Sequence, residues 1–367
     1  MTLAIGDPVA AVDTPSLVID LDAMQRNLAA MAGFAREHGM RLRPHAKMHK
    51  SAAIARLQIE AGAVGVCVQK TSEAQALADA GIDDIFITNE VIAPAKLAQV
   101  ATLAGRVRLG LAVDSALGVE RLAQALRAAG TRLDVYVEVD VGHGRCGVAP
   151  GAAGALAHQV VSHGLRLAGL QAYHGRAQHL RSAAERAAAI AHAVGTARAA
   201  QAAITSAGIA CPLVTGAGTG TFAFEAASRL YGELQAGSYL FMDADYAANE
   251  PTPGAPRFEH ALFVKSQVMS RGASHAVVDA GHKSHAIDSG LPRVWQRDLE
   301  FVNGGDEHGL LRPRGDALPE LGETVWLVPG HCDPTVNLHD HYVVVRGGLE
   351  NGVVAALWQV DARGCLT

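Results

Sequence analysis

Apolar and polar positions fall into two regimes along this chain, and the pattern changes near residue 247. Before it, short apolar, β-branched runs alternate with longer Ala-rich stretches. The runs near 41–47, 63–69, 84–88, 107–113, 133–140, 166–173, 212–216 and 233–239 predict eight strands. Stretches such as 51–61, 72–81, 115–130 and 183–208 predict helices between them, and several end in glycine, as a helix C-cap does. Alternating β and α units in this number predict a (β/α)8 TIM-like barrel of α/β class over residues 22–250. An open doubly wound sheet would carry a GxGxxG after its first strand, and none stands there. From 247 to 259 the chain is rich in Pro and Gly and reads as a domain crossing. Strand-like runs follow at 261–270, 275–281, 324–330, 341–348 and 353–364, without a long helix. They predict a C-terminal, mostly antiparallel β domain over 251–367. The early run 15–22 has no place in the barrel, so residues 1–21 are expected to join that β domain.

Composition narrows the function classes. The 367 residues are 49% hydrophobic, enough for one large domain and a smaller one. A net charge of −5 without a run of one sign argues against a nucleic-acid partner or a polybasic membrane contact. The start MTLAIGDPVAAVDTP lacks a cationic segment followed by an apolar core. The cysteines Cys67, Cys146, Cys211, Cys332 and Cys365 are scattered, with no CxxC. The expectation is a reduced, cytoplasmic protein without disulfides.

Five groups carry chemistry. Lys47 stands in RPHAKMHK with His45, His49 and Lys50 close by. Crowded positive charge and burial disfavour an ammonium, so Lys47 is expected to be a nucleophile fit to condense with an aldehyde; the alternative is a basic surface turn. The loop TGAGTGT holds Gly218, Thr219, Gly220 and Thr221 after the seventh strand, where barrels often bind phosphate. A plain turn is the other reading, and Gly237, Ser238 and Tyr239 after the eighth strand are further candidate donors. Arg145 in GHGRCGV suits a phenolate or carboxylate, unless it is paired with Asp140. Tyr173, His174 and His179 follow the sixth strand, and histidine titrates where general bases work. His331 and Asp333 alternate in PGHCDPT; in a strand both would lie on one face, as ligands of a hard or borderline divalent ion, with Cys332 opposite.

Taken in order, these motifs resemble the D-threonine aldolase and D-serine dehydratase family of alanine-racemase-like pyridoxal-phosphate enzymes. The resemblance runs from TPSLVIDLD to DARG and includes QKTSEA, TNEV, QAYHG, ELQAGSY, MDADY and DEHG. It implies a barrel joined to a β domain, and a homodimer. It implies that Lys47 carries pyridoxal 5'-phosphate and that Arg145 approaches the phenolic oxygen. Tyr173 would stand beside the pyridine ring, and Gly218, Thr219, Gly220, Thr221, Gly237, Ser238 and Tyr239 would hold the phosphate. His331 and Asp333 match the metal ligands, and His179 a histidine acting on the substrate hydroxyl. Within the family HxC goes with zinc, whereas His331 with Asp333 suits Mn²⁺ or Mg²⁺ and resembles the aldolase branch. The implied reaction is retro-aldol cleavage of a small-molecule D-β-hydroxy-α-amino acid to glycine and an aldehyde. The same branch includes β-hydroxyaspartate aldolases, and dehydration of D-serine or D-3-hydroxyaspartate is the rival reaction.

Overall fold

The structure is a computed structural model that describes residues 3–367. Among these residues there are two sheets. The first strand, β1 (Ser16–Asp20), precedes the barrel and belongs to the other sheet. The barrel strands are β2 (Arg41–Leu42), β3 (Val66–Val68), β4 (Asp84–Glu90), β5 (Arg108–Val113), β6 (Asp134–Glu138), β7 (Arg166–Ala172), β8 (Val214–Gly216) and β9 (Glu233–Leu234). All pair in parallel, in the order β2-β9-β8-β7-β6-β5-β4-β3. The two ends meet through a parallel bridge between His45 and Cys67 and a bond from the Cys67 amide to the Pro44 carbonyl (2.8 Å), which closes the barrel.

Alternation along each strand explains the continuous apolar runs, because both faces are buried. Cys67, Phe86, Ala112 and Tyr136 point inward and form their own cluster. Their neighbours Val66, Ile85, Leu111 and Val135 pack outward against the helices. Gly110 is needed here: a β-carbon at that position would stand 3.0 Å from the Phe86 ring and 3.3 Å from Tyr136. Below this layer Arg43 is buried and bonds to Asp84 (2.5 Å) and Glu233 (3.3 Å), so the barrel floor is a closed ion-pair network.

The remaining strands are β10 (Leu262–Arg271), β11 (Ala276–Val278), β12 (Arg293–Val294), β13 (Leu299–Asn303), β14 (Gly309–Pro313), β15 (Thr324–Val328), β16 (His341–Arg346) and β17 (Val353–Gln359). With β1 they make a mostly antiparallel sheet, in which β1 lies between β10 (antiparallel) and β16 (parallel). Predicted strand 233–239 is short: it ends at Leu234, and Ser238–Leu240 is a 3-10 turn. The segment 41–47 likewise leaves the sheet after Leu42, and Ala46–Met48 is a 3-10 turn carrying Lys47. Among the described residues no helix is long and apolar enough to cross a membrane. All five cysteines are free thiols.

Candidate active site

The C-terminal ends of the barrel strands surround a cavity of about 210 Å³. Its wall includes His45, Lys47, Gln69, Thr88, Arg145, Tyr173, Gly218, Thr219, Gly237, Ser238, Tyr246 and Asp333. All five predicted groups thus have a member around one space; the fourth, 171–179, contributes Tyr173 alone, and the fifth Asp333.

Lys47 Nζ donates to Asp333 Oδ2 at 2.5 Å. This corrects the expected electrostatics of the lysine. Burial pushes its pKa down, but the Asp333 carboxylate outweighs burial and holds it above the usual lysine value. The crowding charges are absent for a physical reason. Burial first, then the Lys47 charge, keeps His45 far below its ordinary value, and burial lowers His49 to about 4, so both rings are neutral. Lys50 points away, to Asn337 (2.9 Å) and Glu73 (3.4 Å).

The His331–Asp333 pair also departs from the expected geometry. The segment is not a strand: His331 caps a short helix, Cys332–Val336, and Asp333 lies in its first turn. The two side chains still converge, with His331 Nε2 at 3.8 Å from Asp333 Oδ1, while Cys332 is buried in the core. His331 Nδ1 bonds to Asp288 Oδ2 at 2.7 Å, which turns Nε2 toward Asp333. Burial lowers the His331 pKa, but Asp333 and Asp288 outweigh it and the net shift is upward. Burial raises Asp333, yet Lys47 and His331 hold it below the usual carboxylate range. Asp333 Oδ1 is buried without a hydrogen-bond partner among the described residues. An imidazole nitrogen and a free carboxylate oxygen at this spacing fit one divalent ion of Mn²⁺ or Mg²⁺ type. An Asp behind the histidine is the usual outer support of such a ligand.

The phosphate loop divides into lining and backing residues. Among the described residues the amides of Gly218, Thr219, Gly237 and Ser238 have no recorded acceptor, and these residues line the cavity. They fit the phosphate of pyridoxal 5'-phosphate, with Lys47 across the same space. Gly220, Thr221 and Tyr239 do not line it. The Gly220 amide is taken by Gln178 Oε1 (3.0 Å), and the Thr221 hydroxyl bonds Glu225 (2.8 Å) and Gln178 (2.8 Å). The Tyr239 amide binds Thr219 Oγ1 (2.9 Å), and its ring is fully buried with the hydroxyl on Gln58 (3.3 Å). These three residues hold the loop's shape rather than face an anion.

Arg145 has no carboxylate within ion-pair distance and lies 5.9 Å from the Tyr173 ring centre. Asp140 is not its partner; its carboxylate caps the loop by accepting from Gly142 (2.9 Å) and Gly144 (3.0 Å). Behind Arg145, burial and the nearby Glu90 charge push Glu138 well above the usual carboxylate range. Arg145 is left free for an anionic oxygen in the cavity. His179 does not line the cavity, and neither does His331, which reaches it only through Asp333. The His179 Nδ1 contacts Asp245 Oδ2 at 2.5 Å and its ring lies 5.5 Å from that of Tyr246, tilted by 40°, with Tyr246 on the cavity wall.

Sequence reasoning missed the inner lining. His45 Nε2 meets Thr88 Oγ1 (3.1 Å) and Gln69 Nε2 (3.0 Å). Gln171 and Gln235 exchange amide hydrogen bonds at 3.1 and 2.8 Å. These lie in the motifs QKTSEA, TNEV, QAYHG and ELQAG, whose strand-end positions were the available signal. Asp243 and Tyr246 lie in MDADY, a motif of the resemblance to which no role was given, and Asp288 gave no signal.

Comparison with known proteins agrees with this fold. Residues 19–245 match the family described as alanine racemase, N-terminal domain, and residues 261–345 a putative serine dehydratase domain. A D-threonine aldolase of Arthrobacter sp is 48% identical over 98% of this chain and 95% of its own. A 3-hydroxy-D-aspartate aldolase of Paracoccus denitrificans (strain Pd 1222) is 42% identical over 98% and 94%. The crystal structure of D-threonine aldolase from Filomicrobium marinum is 49% identical, covers 100% of both chains and superposes with a TM-score of 0.97.

Proposed function

The chain belongs to the D-threonine aldolase family of alanine-racemase-like lyases, and from that premise we propose that it cleaves D-β-hydroxy-α-amino acids to glycine and an aldehyde. Pyridoxal 5'-phosphate and a divalent ion, Mn²⁺ or Mg²⁺, are required in this reading. The observation that carries it is the 2.5 Å contact between Lys47 and Asp333. It sets the cofactor's lysine beside a carboxylate that shares an ion-binding space with His331.

Bound at Lys47, pyridoxal 5'-phosphate supplies an electron sink for the charge left on Cα when the Cα–Cβ bond breaks. A divalent ion at His331 and Asp333 supplies positive charge that lowers the pKa of the substrate's β-hydroxyl. The protein does the rest. The amides of Gly218, Thr219, Gly237 and Ser238 anchor phosphate. Arg145, which has no carboxylate partner among the described residues, holds the phenolic oxygen. Asp288 fixes the tautomer and aim of His331. Lys47 Nζ, held in place by Asp333 Oδ2, is the group placed on the cavity wall to move a proton at Cα. Tyr173 and Tyr246 line the cavity and leave less room for water beside the reacting atoms. In place of direct action on the hydroxyl, His179 acts at the rim, holding Asp245 and through it the Tyr246 wall. A homodimer in a reducing cytoplasm completes the reading.

Turnover of D-threonine, D-β-hydroxyaspartate and D-serine with and without Mn²⁺ tests this function. Glycine with an aldehyde, lost on chelation and regained with Mn²⁺, is the expected result. Ammonia and a keto acid as the products would replace cleavage by dehydration. A borohydride-sensitive chromophore surviving Lys47→Ala would remove the lysine from its role.

A further inference from the structure

Asp243 belongs to none of the groups described so far, yet it touches two of them. It stands in the MDADY segment, between the phosphate-side turn Ser238–Leu240 and the cavity wall at Tyr246. Its side chain is fully buried. One carboxylate oxygen accepts the Tyr246 amide at 2.9 Å and so caps the short helix Ala244–Ala247. The other accepts the Cys332 amide at 3.1 Å. Cys332 is the residue between His331 and Asp333.

The neighbouring backbone adds to this contact. The Ala244 amide donates to the Pro329 carbonyl (2.9 Å) and the Asp245 amide to the Gly330 carbonyl (3.3 Å). Three consecutive residues of the barrel's last connection are thereby bonded to the segment leading into the His331–Asp333 pair. Of the three bonds, only that of Asp243 reaches the peptide between the two ligands. A buried carboxylate with both oxygens on backbone donors is a rigid bracket, because any shift of either segment breaks a charge-assisted bond.

We propose that Asp243 is the positioning residue of the metal site: it fixes the His331–Asp333 peptide relative to Lys47 and to Tyr246, and thereby sets the affinity and placement of the ion. This rests on the reading of His331 and Asp333 as metal ligands. The bracket acts on the ion and leaves the cofactor's anchors, Lys47 and the loop amides, in place.

The role predicts a split between the two groups that the protein binds. In Asp243→Asn one oxygen still caps the Tyr246 helix, but the amide group turns a donor toward the Cys332 donor. The Mn²⁺ dissociation constant, measured from the free-ion paramagnetic resonance signal, is expected to rise on the order of 10–100-fold. The visible absorbance of lysine-bound pyridoxal phosphate and its reduction by borohydride should stay within about twofold of the unaltered protein. Cys332→Pro tests the same bond from the other side. It deletes the amide hydrogen at a first-turn position that accepts proline, and should weaken Mn²⁺ in the same way. Excess Mn²⁺ should restore turnover in both variants. His331→Ala is the reference. If it abolishes Mn²⁺ binding while Asp243→Asn and Cys332→Pro bind Mn²⁺ as the unaltered protein does, the positioning role is overturned. Equal loss of Mn²⁺ and cofactor binding in both variants overturns it too, since that marks a general structural residue. Unchanged Mn²⁺ binding in His331→Ala would instead sink the metal reading, and this role with it.

Discussion

His49 is a fully buried ring whose hydrogen bonds fix its tautomer and whose burial fixes its charge. Its Nδ1 accepts the Ser51 amide (3.1 Å), so Nε2 carries the proton and faces Gln58 Oε1 (3.2 Å). Burial lowers its pKa from 6.5 to about 4. Between these values the unfolded chain binds a proton that the folded chain refuses. Stability from this group is therefore complete above pH 6.5 and is lost as pH falls toward 4, by at most about 3 kcal/mol. Urea unfolding measured across that window should show the decline, and His49→Gln should flatten its slope. At this scale the residue types were legible, while their electrostatics were not. A cluster of Lys47, Lys50, His45 and His49 reads as crowded positive charge. The fold neutralises both histidines by burial and brings Asp333, 286 residues away, onto Lys47. No local pattern encodes that contact. Nor does a sequence show that His179 is turned outward onto Asp245.

Among the elements, the loop after β8 shows how glycine positions divide their duties. Gly220 approaches the backbone of Gln178 so closely that a β-carbon would stand 2.5 Å from its carbonyl oxygen. That oxygen cannot swing aside, since Gln178 is fully buried and its side chain is bonded to Thr221 and to the His174 carbonyl (3.1 Å). Gly220→Ala should displace the Gly218 and Thr219 amides. A spectrophotometric titration should find pyridoxal phosphate held about tenfold more weakly, about 1.4 kcal/mol. Unchanged affinity would mean that the loop does not grip the phosphate. The loop's place after a barrel strand was readable from periodicity. Which members face the cavity was not, because that depends on Gln178, a residue the spacing does not single out. The HCDP segment is similar. Alternation predicts a strand, but a helix start at Cys332 brings the same two side chains together by another route.

In the whole molecule, the site exists only where two sheets are held in register. Asn27, buried on the first barrel helix, is one of the fastenings. Its amide donates to the Leu240 carbonyl (3.0 Å) and the Glu259 carbonyl (2.7 Å), and its oxygen accepts the Glu259 amide (2.8 Å). Asn27→Ala leaves these groups buried and unpaired, at a cost of about 3 kcal/mol. The adjacent Arg26–Glu259 ion pair is exposed on both sides, so Arg26→Ala should cost no more than about 1 kcal/mol. Denaturant midpoints of the two variants, compared side by side, check the contrast. The two-sheet layout itself could be read from the change of pattern near residue 247, since hydrophobic periodicity is local. The fastenings between the sheets could not, because each joins residues far apart in the chain.

The position of β1 between β10 and β16 has a consequence for how the protein is made. Ser16–Asp20 leave the ribosome before any barrel strand, yet their partners in the sheet are Leu262–Lys265 on one side and Val343–Val345 on the other. The barrel is synthesised in full between them. The nascent chain must therefore carry an unpaired apolar strand through the whole of barrel translation, and the β-domain wall of the cavity, where Asp333 stands, is completed only when that waiting strand is taken up.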